Sequence, residues 1–168
     1  MQNNERVRTI EIGGHVGERV RVQGWLHALR RLGGVNFIVV RDGWGLIQAV
    51  TEDTAALAGL TNDELQPETV LALEGDVVAT SQAPGGVELH NLVIDVITAV
   101  HEPLPVLINK REMKAALTTQ LDHAVITNRH PAQRAVYRLG AAVMAAFRSH
   151  LNGRGFTEIQ TPKIVASA

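Results

Sequence analysis

The 168-residue sequence contains no cysteine, which excludes a disulfide framework and any cysteine-ligated metal site. It also has no long apolar run. The most hydrophobic stretch, residues 92–100, carries Asp95 and is far too short to span a bilayer. Residues 1–6 are polar, and no apolar segment of a secretory signal follows them. These absences predict a cytoplasmic protein with no membrane partner.

The common patterns of catalytic and cofactor sites are missing as well. The sequence has no glycine-rich phosphate loop of the P-loop or dinucleotide type, no metal-ligand spacing and no convincing Ser–His–Asp order. Its seven histidines are scattered. We therefore expect no catalytic residue, no metal site and no bound cofactor within these 168 residues.

Basic residues are absent from the middle of the chain. Residues 42–109 contain eleven acidic side chains and no Lys or Arg, for a net charge of −11. Residues 1–41 carry seven Arg and three Glu, net +4, and residues 110–168 carry nine basic and three acidic residues, net +6. Basic ends are suited to a phosphate backbone, although ordinary solvated surface gives the same distribution.

The first hundred residues predict short β-strands with one helix among them. Alternating polar and apolar side chains and β-rich runs separated by turn residues mark the strands. An Ala-, Leu- and Glu-rich segment at residues 54–66 predicts a helix between the third and fourth strands. This order predicts a mainly β fold, a five-stranded OB-fold barrel over residues 1–103, although other small barrels or a meander share the pattern. The predicted strands lie at residues 19–25, 37–41, 46–50, 70–80 and 87–100.

A different region begins after the last predicted strand. Pro103 and the next proline cannot continue a central strand, so we expect a domain exit there and a linker with short helical pieces at residues 104–130. A long amphipathic helix should begin at Pro131, since proline suits the first helical turn. A new strand is predicted at residues 155–159. One helix and one strand cannot close a core, so residues 131–168 are predicted to start a second, α+β domain.

The hairpin around residues 42–45 supplies a candidate binding face. A two-residue turn at Asp42-Gly43 places Phe37 directly across from Gln48, and a four-residue turn still leaves both on one face. An exposed ring beside an amide and the Arg41 cation can stack a base, read its edge and meet a phosphate. The alternative is that Phe37 packs under a loop and Gln48 is merely solvated. The outward set is Phe37, Val39, Arg41, Leu46, Gln48 and Val50, and the inward set is Ile38, Val40, Ile47 and Ala49.

Several segments, taken in order, resemble the aspartyl-tRNA synthetases, a family of class II aminoacyl-tRNA synthetases. The first three are similar to the family's anticodon-binding domain, the next two to its exit from the barrel and its entry to the catalytic domain, and the last to class II motif 1 in its archaeal-type form. The resemblance spans nearly the whole chain. The segments are residues 24–27, residues 30–34, residues 37–48, Pro103-Leu104-Pro105, Arg129-His130-Pro131 and residues 155–168.

The resemblance implies roles for individual residues. Phe37 would stack on the central anticodon base, a uridine, and Gln48 would hydrogen-bond that base. Arg30 would contact the anticodon loop, and Glu88 would lie near the remaining anticodon bases. Pro162 would belong to the motif 1 dimer interface.

Two further residues bear on which tRNAs are used. His27 and Pro84 are similar to residues around the third anticodon base in family members that charge both tRNA(Asp) and tRNA(Asn). On this hypothesis the partners include tRNA(Asp) and tRNA(Asn), and an amidotransferase would act on the product.

For the full-length protein the resemblance implies an aspartate–tRNA ligase, a homodimer that uses ATP and Mg²⁺ to attach L-aspartate to tRNA. Motifs 2 and 3 are absent from these 168 residues, so the chain alone is expected to recognise the anticodon without catalysing aminoacylation. The alternatives are the N-terminal region of an asparaginyl- or lysyl-tRNA synthetase, a stand-alone OB-fold module for single-stranded nucleic acid, and a protein-interaction barrel.

Overall fold

The computed structural model describes residues 6–57, 60 and 66–162. The chain divides into two compact units, with the boundary after Pro105. The first unit is built from β-strands and the second from helices.

Five strands of the first unit close into a barrel in the order β1-β2-β3-β5-β4. All neighbouring strands are antiparallel except β3 and β5, which run parallel. All five predicted strands are therefore present. Their bounds are β1 Arg19–Leu32, β2 Val35–Arg41, β3 Leu46–Thr51, β4 Val70–Ala79 and β5 Val87–Thr98.

The barrel core consists of the side chains that alternate inward from each strand. Removing these aliphatic groups from water supplies the main driving force for folding, about 25 cal/mol per Å² of apolar surface. The four residues predicted to point inward from the hairpin are all at most 2% exposed, so that prediction is confirmed. They are Ile38, Val40, Ile47 and Ala49.

Strand β1 is longer than predicted and contains a bulge. Leu26 pairs with Val40 and Ala28 pairs with Val39, so His27 is an extra residue with no partner in the ladder. A bulge of one residue reverses the alternation that follows it. Arg30 therefore shares the outward face with Ala28, whereas the partly buried Leu29 packs against the core.

The segment between β3 and β4 is described only in part. A 3-10 turn covers Ala55–Leu57, at the start of the helix predicted for residues 54–66. Residues 58, 59 and 61–65 of that prediction lie outside the described residues.

The described part of the second unit contains three helices, α1 Leu117–Asp122, α2 Ala124–Thr127 and α3 Pro131–Gly153. The helix predicted from Pro131 is confirmed. Nδ1 of the buried His130 accepts a hydrogen bond from the Ala132 amide, and its Nε2 donates to the carbonyl of Lys110 at 3.0 Å. His130 thus caps α3 and ties its start to the preceding segment. None of the helices among the described residues has the length and apolar character needed to cross a membrane.

The strand predicted at residues 155–159 does not form. The chain turns at Gly155, where φ is 83°, and residues 156–162 have no regular secondary structure. A β-rich sequence becomes a strand only when a neighbour completes its hydrogen bonds. The described part of the second unit contains no β-strand to pair with it.

Candidate nucleic-acid interface

Phe37 lies on the outer surface of the barrel, between a cation and an aliphatic side chain. It pairs with Arg30 across the β1–β2 ladder and with Val50 across the β2–β3 ladder. Directly opposite residues of antiparallel strands project on the same side of the sheet. Phe37 is half-buried and Arg30 is exposed, so the ring lies beside a cation at the surface.

Gln48 shares this outer face, but in a different register from the one predicted for the tighter turn. The hairpin loop spans four residues, 42–45, and Gln48 pairs with Val39 rather than with Phe37. The prediction of directly opposed Phe37 and Gln48 is therefore wrong, whereas their shared face is confirmed. Phe37 and Gln48 are therefore diagonal neighbours on the β2–β3 ladder, at a separation that long and aromatic side chains can bridge.

A chain of hydrogen bonds continues from Gln48 to β5. Gln48 pairs in parallel with Glu88, and its Nε2 donates to Glu88 Oε2 at 3.2 Å. Nε2 of His90 donates to the other carboxylate oxygen, Oε1, at 2.8 Å. The Glu88 side chain is only 14% exposed. Both of its oxygens are thus used within the barrel wall.

The prediction that Arg41 is exposed on this face is wrong. Arg41 is 2% exposed, and one guanidinium nitrogen donates to both oxygens of Glu68, at 2.7 and 2.9 Å. Residues 66–69 bring Glu68 there, because the backbone of Leu26 bonds to that of Glu68 and of Thr69. Strand alternation correctly predicts that Arg41 lies on the outer side of β2. Residues 66–69 cover its guanidinium, however, so it cannot contact a phosphate.

His27 lies in the bulge of strand β1, and Pro84 lies in a separate loop. His27 is the bulged residue of β1, and its Nδ1 accepts from Arg41 Nη1 at 3.3 Å. Pro84 is exposed in the β4–β5 loop, followed by Gly85 and Gly86 with φ of 88° and 77°. Pro162 is exposed, lies in the second unit and has no regular secondary structure.

Two features of this surface escape the sequence reasoning. His90 lies two residues after Glu88, so the period of a strand is the one signal that could have placed both on one face. Trp44, 41% exposed at the tip of the hairpin, has the guanidinium of Arg8 at 4.6 Å from its ring centre. No local pattern pairs the hairpin tip with a residue that precedes β1.

Asp42 fixes the shape of the hairpin loop. Burial alone would raise the pKa of its carboxyl, but the carboxylate accepts hydrogen bonds from the Thr9 hydroxyl and from the backbone amides of Thr9, Trp44 and Gly45. The net effect is a pKa below the usual value. The ionised carboxylate therefore anchors this turn at neutral pH.

Titratable side chains do not gather into a metal site in the part of the chain that is described. No group of three or more His, Cys, Asp or Glu side chains there is arranged to hold a metal ion. The outer face itself offers an aromatic ring, an amide and a cation, those of Phe37, Gln48 and Arg30.

Comparison with known proteins shows that the barrel is similar to a family of nucleic-acid-binding domains. Residues 20–97 match the family of OB-fold nucleic acid binding domains named for the tRNA anticodon. The aspartate–tRNA(Asp/Asn) ligase of Deinococcus radiodurans is 42% identical over 163 residues, which is 97% of this chain and 36% of that protein. The ligase of the same name from Thermus thermophilus is 38% identical over 160 residues, 95% of this chain and 36% of that protein.

Solved structures give the same result for the fold. The asparaginyl-tRNA synthetase from Pyrococcus horikoshii, complexed with asparaginyl-adenylate, superposes with a TM-score of 0.80 at 29% identity, over 94% of this chain and 36% of that one. The aspartyl-tRNA synthetase from Entamoeba histolytica shares the fold, with a TM-score of 0.78 at 20% identity, over 97% of this chain and 40% of that one. The chain spans about a third of the length of the curated relatives it matches.

Proposed function

We infer that this chain is the tRNA-recognising part of an aspartate–tRNA ligase. The match of residues 20–97 to the anticodon-type OB-fold nucleic acid binding domains supports this inference. One observation carries the proposal: Phe37, Gln48 and Arg30 share the outer face of the barrel. The relatives named aspartate–tRNA(Asp/Asn) ligase, which align with almost the whole chain, support tRNA as the ligand.

Each of the three side chains can make a different contact with an unpaired nucleotide. The ring of Phe37 offers a stacking surface, which is worth about 1–3 kcal/mol per base. The amide of Gln48 offers a donor and an acceptor to the edge of the stacked base, which we propose is the central uridine of the anticodon. Arg30 is exposed and lies opposite Phe37, so its charge is accessible to a phosphate of the anticodon loop.

His27 and Pro84 would flank the third anticodon base, with Glu88 on the same side of the barrel. The position of His27 in a bulge supports this role, because a bulge re-aims a side chain. We propose that the tRNA partners are tRNA(Asp) and tRNA(Asn). Charging of both transcripts by the full-length enzyme with aspartate supports this, and a strong preference for tRNA(Asp) contradicts it. Aspartate on tRNA(Asn) would need an amidotransferase as a further partner.

The remaining segments of the chain fit the same proposed function. Residues 1–103 would form the anticodon-binding domain, residues 104–130 the linker and residues 131–168 the start of the class II catalytic domain, with Pro162 at the interface of a cytoplasmic homodimer. ATP and Mg²⁺ would supply the activation of aspartate in the full-length enzyme. We assign no residue of this chain to either.

The choice between aspartate and asparagine rests on the relatives. An asparaginyl-tRNA synthetase is similar in structure at 29% identity, whereas the curated relatives at 33–42% identity are named for aspartate. Amino-acid activation by the full-length enzyme separates the two. Activation of asparagine instead of aspartate would contradict our assignment.

RNA binding by the full chain tests the proposal directly. Fluorescence anisotropy with an anticodon stem-loop of tRNA(Asp) should give saturable binding. Loss of one stacked base in Phe37→Ala should weaken binding about 5- to 150-fold, the equivalent of roughly 1–3 kcal/mol. Phe156→Ala removes an equally large ring that is 63% exposed in the second unit, and it should leave RNA binding unchanged. Equal affinities of the wild type and Phe37→Ala would contradict the proposal.

A further inference from the structure

We propose that Glu88 and His90 are positioning residues that set the base preference of Gln48. They hold its amide in one orientation and thereby favour uracil over cytosine at the base stacked on Phe37. This inference rests on the proposed function, because it concerns the same binding face. It gives Glu88 a role within the barrel wall.

The polarity of the Gln48 amide follows from the chemistry of its partner. Its nitrogen lies 3.2 Å from Glu88 Oε2, and an ionised carboxylate accepts hydrogen bonds but donates none. A rotated amide would set its own oxygen against that carboxylate oxygen, which is repulsive. The nitrogen of Gln48 therefore faces Glu88, and Oε1 together with the second N–H remains available to a ligand.

Glu88 is itself held in place. Its second carboxylate oxygen accepts from His90 Nε2 at 2.8 Å, and its side chain is only 14% exposed. The parallel pairing of Gln48 with Glu88 fixes the two backbones next to each other. The carboxylate cannot turn away from Gln48 without breaking the bond to His90, so the amide is restrained through two successive hydrogen bonds.

A fixed amide distinguishes uracil from cytosine because these bases carry opposite patterns on the same edge. Uracil presents a donor at N3 beside an acceptor at O4. Cytosine presents an acceptor at N3 beside a donor at N4. For a base held in one orientation by stacking on Phe37, the order of the amide oxygen and nitrogen matches one pattern and opposes the other. Discrimination by a bidentate amide contact is typically about 5- to 150-fold.

The test compares two anticodon stem-loops that differ only in having U or C at the central anticodon position. We expect the full chain to prefer the U loop about tenfold or more by fluorescence anisotropy. In Glu88→Gln the new amide can face Gln48 with either end, so the preference should fall to about threefold or less. His90→Ala should lower the ratio in the same direction. Asp95→Asn, the same acid-to-amide change at an exposed residue of β5, should leave the ratio unchanged.

An exchange of the two side chains separates positioning from a merely structural role. The double variant Gln48→Glu with Glu88→Gln keeps the composition, the charge and one hydrogen bond between the strands, but it presents a carboxylate to the base. We expect the preference for U to remain lost in this variant. If only the hydrogen bond between residues 48 and 88 matters, the double variant recovers the wild-type ratio of U-loop to C-loop affinity, and the proposal is wrong.

The remaining outcomes distinguish this inference from the proposed function. A ratio of U to C binding that stays at the wild-type value in Glu88→Gln and His90→Ala overturns the inference, even if Phe37→Ala abolishes binding. Absence of binding of either loop by the wild-type chain overturns the proposed function itself. Circular dichroism of each variant establishes that the barrel is folded before the ratios are compared.

Discussion

Arg41 and Glu68 form a buried ion pair next to the candidate RNA-binding face, with side chains only 3% and 4% exposed. The guanidinium also stacks 5.4 Å from the ring centre of Trp25. Glu68 adopts a φ of 73°, unusual for a residue other than glycine. The pair therefore holds the segment before β4 against the end of β2, and it does so with charges that have been removed from water.

Removal of Glu68 should destabilise the protein strongly. In Glu68→Ala the charge of Arg41 stays buried without its carboxylate, and we expect a loss of about 3–5 kcal/mol in the free energy of unfolding. Urea denaturation followed by circular dichroism measures it. The matched control is Glu11→Ala, whose partner Arg8 lies 3.6 Å away with both side chains about half exposed. That change should cost less than about 1 kcal/mol. Similar losses in the two variants would contradict the role of the buried pair.

Asp42 should make stability depend on pH at the acidic end. The pKa of its carboxyl is lowered in the folded protein, because the bonds from Thr9, Trp44 and Gly45 outweigh the effect of burial. Its contribution is therefore complete above the unfolded pKa of about 3.9 and is lost as the pH falls through the lower, folded value. Wild-type stability should exceed that of Asp42→Asn at pH 7, and the difference should shrink below about pH 4.

The Thr9 hydroxyl provides the control for this pH dependence. Thr9→Val removes the 2.6 Å bond to Asp42 Oδ1 but keeps the carboxyl group, so its pKa should move back toward the ordinary value. Urea titrations at a series of pH values should give a smaller acid-dependent difference in Thr9→Val than in the wild type. If the difference in unfolding free energy between the wild type and Asp42→Asn stays constant from pH 7 to strongly acidic pH, the lowered pKa of Asp42 is contradicted.

Gly24 should tolerate no larger residue. A Cβ at this position would collide with the backbone carbonyl of Arg41 and lie 2.8 Å from Val40 Cγ1. Backbone on a paired strand cannot move away cheaply, so Gly24→Ala should cost at least about 2 kcal/mol of unfolding free energy. Gly13→Ala, in the 3-10 turn Ile12–His15, meets no atom within 4 Å and should change stability by less than about 0.5 kcal/mol. Equal melting temperatures for the two variants would refute the close contact.

The inward face of the barrel could be predicted from the sequence because strand alternation is a local property. Ile38 and Val40 point inward simply because they are two residues apart on a strand. Alternation says nothing about what covers the other face. The exposure predicted for Arg41 failed because Glu68, 27 residues later, folds over it.

Bulges and missing neighbours limit the remaining predictions. No residue pattern marks His27 as the extra residue of β1, yet its insertion places Arg30 opposite Phe37. Residues 155–159 carry β-forming side chains, but the described residues of that unit offer them no strand. Both features depend on which segments lie side by side, and a single sequence does not state this.

Arg30 and Phe37 should contribute to RNA binding in separable ways. Arg30→Ala removes one phosphate contact, so the slope of log affinity against log salt should become shallower by about 0.7–1. Phe37→Ala removes stacking and should lower affinity at every salt concentration without changing the slope. Arg31→Ala removes the neighbouring cation, which alternation directs away from this face, and should alter neither quantity. Anisotropy titrations with the same anticodon stem-loop between about 50 and 200 mM salt measure all three variants. An unchanged slope in Arg30→Ala, or a slope that changes as much in Arg31→Ala, would show that the cation opposite Phe37 contacts no phosphate.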